Sequence, residues 1–317
     1  MEFPSTFGYT PDMNSKILLM LSCTLMLAGL WPISARAWHP RLQEESFLAG
    51  TSPPPVIGRN LPYLIAPGET LVELARRSGT GYEALVRANP GVDPWIPPTG
   101  AEVFLPLAFV LPLGTGEGIT INLAEMRLYL VWQEDGRQKV RAYPVGIGQE
   151  GWDTPLGRFT IATKVANPSW TPPAAIRETS PDLPAWVPPG PNNPLGDYWL
   201  GLSVKGYGIH GTSKPFGVGR RVSHGCLRLY PEDIRDLFQR VTIGTTVRII
   251  DQPVKVGARE GELYLETHPP VTGRRINPVA EVLRQAAALS WQGRLDMEAI
   301  HRALRERRGI PTLISAP

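Results

Sequence analysis

Proline sets the outer limits on what this chain can become. Thirty-four of its 317 residues are proline, about twice the usual share of roughly one in twenty, and proline interrupts helix interiors and central strands alike. Short elements joined by long ordered loops are therefore expected, and a helical bundle is not. The densest stretch, residues 166–199, holds nine prolines and three tryptophans, Trp170, Trp186 and Trp199. So long a loop in a compact domain usually serves a function, and its prolines lower the entropy cost of ordering it. It reads as the wall or lid of a cleft. A hydrophobic content of 42% suffices for packed cores and excludes a disordered chain. A formal charge of +3 gives no support to nucleic-acid binding.

The chain has two cysteines, Cys23 and Cys226. Lys16 precedes the apolar run 17–30, and Ala35-Arg36-Ala37 supplies a small-x-small pattern. Residues 1–37 therefore read as an export signal, with Met13 a better start than Met1. An uncleaved membrane anchor is the alternative; a lipid anchor at Cys23 is disfavoured because the apolar run continues beyond it. Export leaves Cys226 alone, without a disulfide framework. A lone thiol in an oxidising compartment points to chemistry.

Residues 38–60, with Thr51-Ser52-Pro53-Pro54-Pro55, read as a polar linker. Order resumes with the strand Tyr63-Leu64-Ile65 and the turn Pro67-Gly68-Glu69. Two capping boxes follow, Thr70 with Glu73 and Thr80 with Glu83, opening helices that turn Leu71, Leu74 and Ala75, then Leu85 and Val86, inward. Glu102-Val103-Phe104-Leu105 is a second strand. This order in residues 61–107 resembles a LysM module. The resemblance rests on Gly68-Glu69-Thr70-Leu71, Ala88-Asn89-Pro90 and Leu105-Pro106 after Gly100, while Asp93-Pro94-Trp95 is similar to the form in Gram-negative envelope enzymes. It implies binding to the N-acetylglucosamine-containing glycan of peptidoglycan; a small structural α/β unit is the alternative. The Pro/Gly junction 112–118 predicts a unit isolated from the strands that follow and removable without unfolding them.

Residues 116–252 alternate as short strands without a βαβ rhythm, so this domain is expected to be mainly β. One short helix follows Tyr230-Pro231, with Ile234, Leu237 and Phe238 inward. The tail, 253–317, reads as a small α/β extension: a strand at 262–266, a helix with Val279, Val282, Leu283 and Ala286 on one face, and a second helix capped by Asp296. The second helix carries Arg302, Arg305, Arg307 and Arg308 on its polar side, either a solvated face or a patch for an anionic surface. His39, His268 and His301 are expected to be ordinary surface residues.

Two histidine–glycine pairs precede Cys226, in His210-Gly211-Thr212 and in Ser223-His224-Gly225-Cys226-Leu227-Arg228-Leu229. An ordinary thiol, with a pKa of about 8.5, is mostly protonated at neutral pH, and an imidazole activates it by taking its proton. His210 ends a strand pattern, and the intervening chain is able to fold back on it. Gly225 lets a substrate carbonyl approach the backbone, and N–H groups near Cys226 are oxyanion-hole candidates. A buried inert cysteine and a zinc site of His210, His224 and Cys226 are the alternatives.

The same residues resemble the signature of L,D-transpeptidases with the YkuD-type catalytic domain. Gly157-Arg158-Phe159, Asn167-Pro168-Ser169-Trp170-Thr171-Pro172-Pro173 and Val187-Pro188-Pro189-Gly190 extend the likeness to the periplasmic Gram-negative branch, which includes the enzymes that attach an outer-membrane lipoprotein to peptidoglycan. Arg228 departs from the Asn of many other members, so Asn-based roles do not transfer to it. The resemblance implies a YkuD-type β-sandwich with a short helix and acyl transfer through a thioester. Cys226 is then the nucleophile and His210 the proton acceptor and donor. Gly211, Ser223, His224 and Gly225 shape the loop, and Arg228 meets an anionic group of the substrate or braces the loop. The implied partners are peptidoglycan, glycan at the LysM unit and stem peptide at the thiol, with a lipoprotein lysine or a diaminopimelate amine as acceptor. Neither cofactor nor metal is implied. A hydrolase on the same scaffold and a non-catalytic wall-binding protein are the rival readings.

Overall fold

A computed structural model of the chain describes residues 44–47, 54–273 and 275–316. The expected signal segment 1–37, with Met13 and Cys23, lies outside these residues, as does His39. Among the described residues no helix is long and apolar enough to cross a membrane.

Nine strands form one sheet, in the order Glu45–Phe47, Arg137–Pro144, Arg127–Glu134, Gly118–Asn122, Thr246–Ile250, Gly157–Ala166, Tyr198–Leu202, Gly208–His210 and Leu227–Arg228. Strand Gly157–Ala166 serves both halves. Its first part pairs with Thr246–Ile250, its second with Tyr198–Leu202, and the register slips between Ile161 and Thr163. Such an irregularity bends and twists a strand, and here the sheet curls so that its halves share one core. Ile119, Ile121, Leu128 and Leu130 from one half meet Leu200, Ile209 and Leu227 from the other. Helix Pro231–Arg240 closes this core with fully buried Ile234 and Leu237; Pro231 presets φ for its first turn. The domain is mainly β, as expected.

The outer face of the sheet is covered by the stretch read as linker. Within 38–60, Glu45–Phe47 adds an edge strand, and Val56–Ile57 pairs with Phe109–Val110. Ile57, Phe109 and Leu111 bury Tyr129, Val131 and Val140. Strands of two or three residues leave no alternation to detect, so composition masked them.

Residues 61–105 form a βααβ unit around Leu71, Leu74, Leu85, Val103 and Leu105. The Thr70–Glu73 capping box forms as expected. The second does not. Gly81 caps helix Tyr82–Ala88 without a side-chain bond, Thr80 turns its hydroxyl to Ser78, and the Glu83 N–H donates to the carbonyl of Gly219 at 3.2 Å. The expected isolation of this unit is likewise corrected: it packs against the domain at Gly219 and again through Arg76, which grips Glu232 with two bonds of 3.1 and 2.9 Å.

In the tail, helices Pro278–Ala288 and Met297–Glu306 pack Val282, Ala286, Ile300 and Ala303 on the sheet Val254–Arg259, Glu262–Thr267 and Thr312–Leu313. Asp296 caps its helix as expected, whereas Leu283 is exposed. His268 is not a surface residue. It is buried, and its Nε2 lies 2.7 Å from Glu266. The buried Lys255 ammonium bonds Glu125 at 2.7 Å, Glu266 at 3.0 Å and the Val110 carbonyl at 2.7 Å. Tyr129 donates to Glu125, and the Val110 N–H to Glu266. One ionic cluster thus ties the sheet, the connecting strand and the tail together. Burial raises the Glu266 pKa, but Lys255, His268 and the Val110 N–H outweigh it and hold the carboxyl well below the usual range.

Removing one partner of a buried ion pair strands the other, at a cost of about 3–5 kcal/mol. Lys255→Ala is therefore expected to lower stability by that order in urea titrations at pH 7. The folded pKa of Glu266 lies below its unfolded value, so its contribution is complete above the ordinary carboxylate pKa and lost as pH falls through the depressed one. Glu266→Gln is expected to flatten the acid limb of the stability profile. Wild-type stability in Lys255→Ala would contradict the role of the cluster.

Candidate active site

Strand pairing assembles the motif. In the parallel pair, Ile209 lies opposite Leu227 and His210 opposite Arg228. Side chains alternate across a sheet, so Ile209 and Leu227 enter the core while His210 and Arg228 share the other face, and the Arg228 charge acts on both the His210 ring and the Cys226 thiol.

His210 is 4% exposed, and its Nδ1 lies 2.6 Å from the Gly211 carbonyl. A carbonyl only accepts, so Nδ1 carries the proton and Nε2 keeps its lone pair in the neutral ring. Burial, reinforced by the Arg228 charge, lowers the His210 pKa to about 4 despite the Gly211 bond. Trp199, opposite His210 in the neighbouring strand, stacks on the imidazole with centroids 5.8 Å apart. Glycine makes room for the indole, since a Cβ on Gly208 would sit 2.5 Å from its ring.

Cys226 is half-buried, and its Sγ donates to the Gly206 carbonyl at 3.6 Å. Burial raises its pKa, against the Gly208 backbone and the Arg228 charge, which lower it. Both reactive groups therefore rest uncharged near neutrality. The turn before Cys226 is fixed by hydrogen bonds: Ser223 Oγ donates to the Cys226 carbonyl at 2.5 Å and accepts from the Gly225 N–H at 3.2 Å. Gly225 has φ +99°, and a Cβ there would meet the Tyr207 ring at 2.6 Å. Its carbonyl accepts from the Thr154 hydroxyl, which accepts from Gly148 N–H.

His224 stands apart, edge-on to Trp152 at 4.7 Å, its pKa lowered by burial and by Arg228. Arg228 exchanges two backbone bonds with Gly146, at 2.8 and 2.9 Å, and its Nε is buried without a hydrogen-bond partner. Three metal-type donors converge elsewhere, at Glu125, Glu266 and His268, and there the Lys255 ammonium already lies against both carboxylates.

Residues 166–199 are partly ordered by their own bonds. Trp170 and Val187 exchange backbone hydrogen bonds, and Asn193 Nδ2 ties down the Pro168 and Pro188 carbonyls. Trp199 belongs to strand Tyr198–Leu202 rather than to a lid. Trp152, Thr154 and Trp199 were not singled out as site residues by the sequence. Trp199 read as a loop aromatic, and only the fold brings these residues to the motif.

The site thus brings together a half-buried thiol, a neutral imidazole and the half-buried Arg228 guanidinium. The family model of the YkuD L,D-transpeptidase catalytic domain matches residues 116–249. "Probable L,D-transpeptidase YbiS" of Escherichia coli is 36% identical over 96% of this chain and 100% of its own length. "Probable L,D-transpeptidase YcfS" of the same species is 40% identical over 77% of this chain and 80% of its own. "Probable L,D-transpeptidase ErfK/SrfK" of Salmonella typhimurium is 39% identical over 78% and 83%. A crystal structure of an Enterococcus faecium L,D-transpeptidase shows 22% identity over 43% of this chain and 50% of that one, with a TM-score of 0.32. The chain belongs to the L,D-transpeptidase family, whose members are acyltransferases.

A neutral thiol must ionise before it can be alkylated. Inactivation by iodoacetamide is expected to accelerate continuously from pH 6 to beyond pH 9. A plateau across neutrality, the mark of a preformed thiolate–imidazolium pair, would contradict the resting state described.

Proposed function

We propose that this chain is a cysteine-dependent L,D-transpeptidase acting on peptidoglycan stem peptides. The observation that carries the proposal is the pairing of strand Gly208–His210 with the strand that directly follows Cys226, with the His210 ring held neutral by its Nδ1 bond to Gly211 and Nε2 left as its basic nitrogen. Cys226 attacks the carbonyl of the third stem residue as its proton passes to His210. The peptide bond to the terminal D-alanine breaks, and the leaving amine takes that proton back. An acceptor amine then attacks the thioester, forms a new amide and releases the thiol. Gly225 N–H is engaged by Ser223, and a backbone N–H beside Cys226 serves as the oxyanion donor. Arg228 offers its charge to a substrate carboxylate. Gly211, Ser223, His224 and Gly225 hold the loop.

The acceptor is the lysine of an outer-membrane lipoprotein or the side-chain amine of a second diaminopimelate. Residues 61–107 are proposed as a LysM glycan-binding module, 116–252 as the catalytic domain and 253–317 as its extension. Export through segment 1–37 puts the enzyme in the periplasm. The βααβ order and the Thr70 capping box support the module reading, and the Gram-negative relatives support the compartment.

Incubation with tetrapeptide muropeptides tests the reaction. The expected products are cross-linked dimers and free D-alanine, with a thioester on Cys226 visible by intact mass. Cys226→Ala is expected to abolish both. His210→Ala is expected to slow acylation by about 10²–10⁴-fold, the usual worth of a general base, and His224→Ala far less. Tripeptides without dimers would favour hydrolysis, and substantial turnover by folded Cys226→Ala would overturn the thioester.

A further inference from the structure

The βααβ unit does more than lie beside the catalytic domain. It touches the chain on both sides of the nucleophile: at Arg220, six residues before Cys226, and at Glu232, six after it. The loop joining His210 to Cys226 is gripped at Gly219-Arg220. On its inner side, the Arg220 carbonyl accepts from Ile147 N–H at 2.9 Å, and Arg221–Ser223 pairs with Ile147–Gly148. On its outer side, the Gly219 carbonyl accepts from Glu83 N–H. The backbones meet there without side chains. Gly219 has φ +74°, and a Cβ on it would sit 2.6 Å from Tyr82 N and 2.8 Å from Gly81 Cα.

Arg220 then caps the contact. Its guanidinium lies 3.5 Å from the centroid of the Tyr82 ring and 5.9 Å from that of Trp95. Its Nε and Nη2 are buried with no hydrogen-bond partner. A guanidinium stripped of hydrogen bonds at those atoms is held chiefly by aromatic faces. Nothing in the packing of the βααβ core requires this arginine, since that core closes on its own apolar residues. The contact acts on the loop.

We propose that Tyr82 and Arg220 are positioning residues of the transferase, through which the βααβ unit sets the loop that presents Cys226. The unit is then a working part of the catalytic domain and not only a tether. This rests on the catalytic reading for its turnover readout, but not for its thiol readout.

The test uses the full chain with Tyr82→Ala, Arg220→Ala and the double variant, and with Tyr82→Phe and Arg220→Lys as conservative changes. Two quantities are read: iodoacetamide alkylation of Cys226 and kcat against KM on a soluble stem peptide. Both alanine variants are expected to lower the alkylation rate and kcat about tenfold, with KM within about twofold. The double variant is expected to be no worse than either single one, because both remove the same contact. Tyr82→Phe keeps the aromatic face and is expected to restore the wild-type rates. Arg220→Lys loses planar stacking and is expected to fall between wild type and Arg220→Ala, which keeps the test alive should Tyr82→Ala fail to fold. Wild-type alkylation in folded Arg220→Ala or Arg220→Lys, additive losses, or a change confined to KM overturns the proposal. A wild-type enzyme whose thiol responds in this way yet turns over no stem peptide leaves the positioning role standing and overturns the substrate reading instead.

Discussion

The parallel pairing of Ile209 with Leu227 and of His210 with Arg228 is the contact on which the candidate site depends. It is only two residues long, and strands that short hold little on their own. Their register is fixed from outside. Ile209 and Leu227 are locked into the core shared by both halves of the curled sheet, the Leu229 N–H donates to the His210 carbonyl, and Arg228 is pinned to Gly146. A one-residue slip would turn Cys226 into that core and Leu227 out of it. Hydrophobic burial therefore decides which way the thiol faces, and the hydrogen bonds around Ser223 and Thr154 decide how its loop is held.

The electrostatics follow from the same burial. His210 lies under Trp199 and beside Arg228, so its charged form is disfavoured twice. Cys226 is pushed the other way by burial and drawn back in part by Arg228 and the Gly208 backbone. Both groups rest uncharged near neutrality. Arg228 has a buried Nε without a hydrogen bond, and its charge acts on both the imidazole and the thiol. The ionic cluster around Lys255 has a different task. It lies beneath the outer strands and joins the tail to the sheet.

Much of this was legible in the residues. The cysteine motif, the mainly β domain and the first capping box stand out because each has a local cause: a reactive residue set, a period of two, a side chain bonding three positions on. What escaped had non-local causes. The strands Glu45–Phe47 and Val56–Ile57 were hidden in a polar, proline-bearing stretch because they are too short to show a pattern. Thr80 looked like a cap, but the helix takes its N-terminal partner from Gly219, far along the chain. His268 looked like a surface residue because its partners, Glu266 and the cluster around Lys255, are recognisable only once three segments have come together. Trp199 sat in a proline-rich run, yet the strand pairing places it over His210.

The central claim is that the resting site holds a neutral His210 imidazole with its proton on Nδ1, bonded to the Gly211 carbonyl, and a protonated Cys226 thiol. Nitrogen NMR of the full chain carrying ¹⁵N-histidine, with His210 assigned by the His210→Gln variant, reads this directly. The account predicts a neutral ring at pH 7 in the Nδ1–H tautomer, remaining so until the pH approaches about 4. A doubly protonated ring at pH 7, or a proton on Nε2 in place of Nδ1, would contradict it.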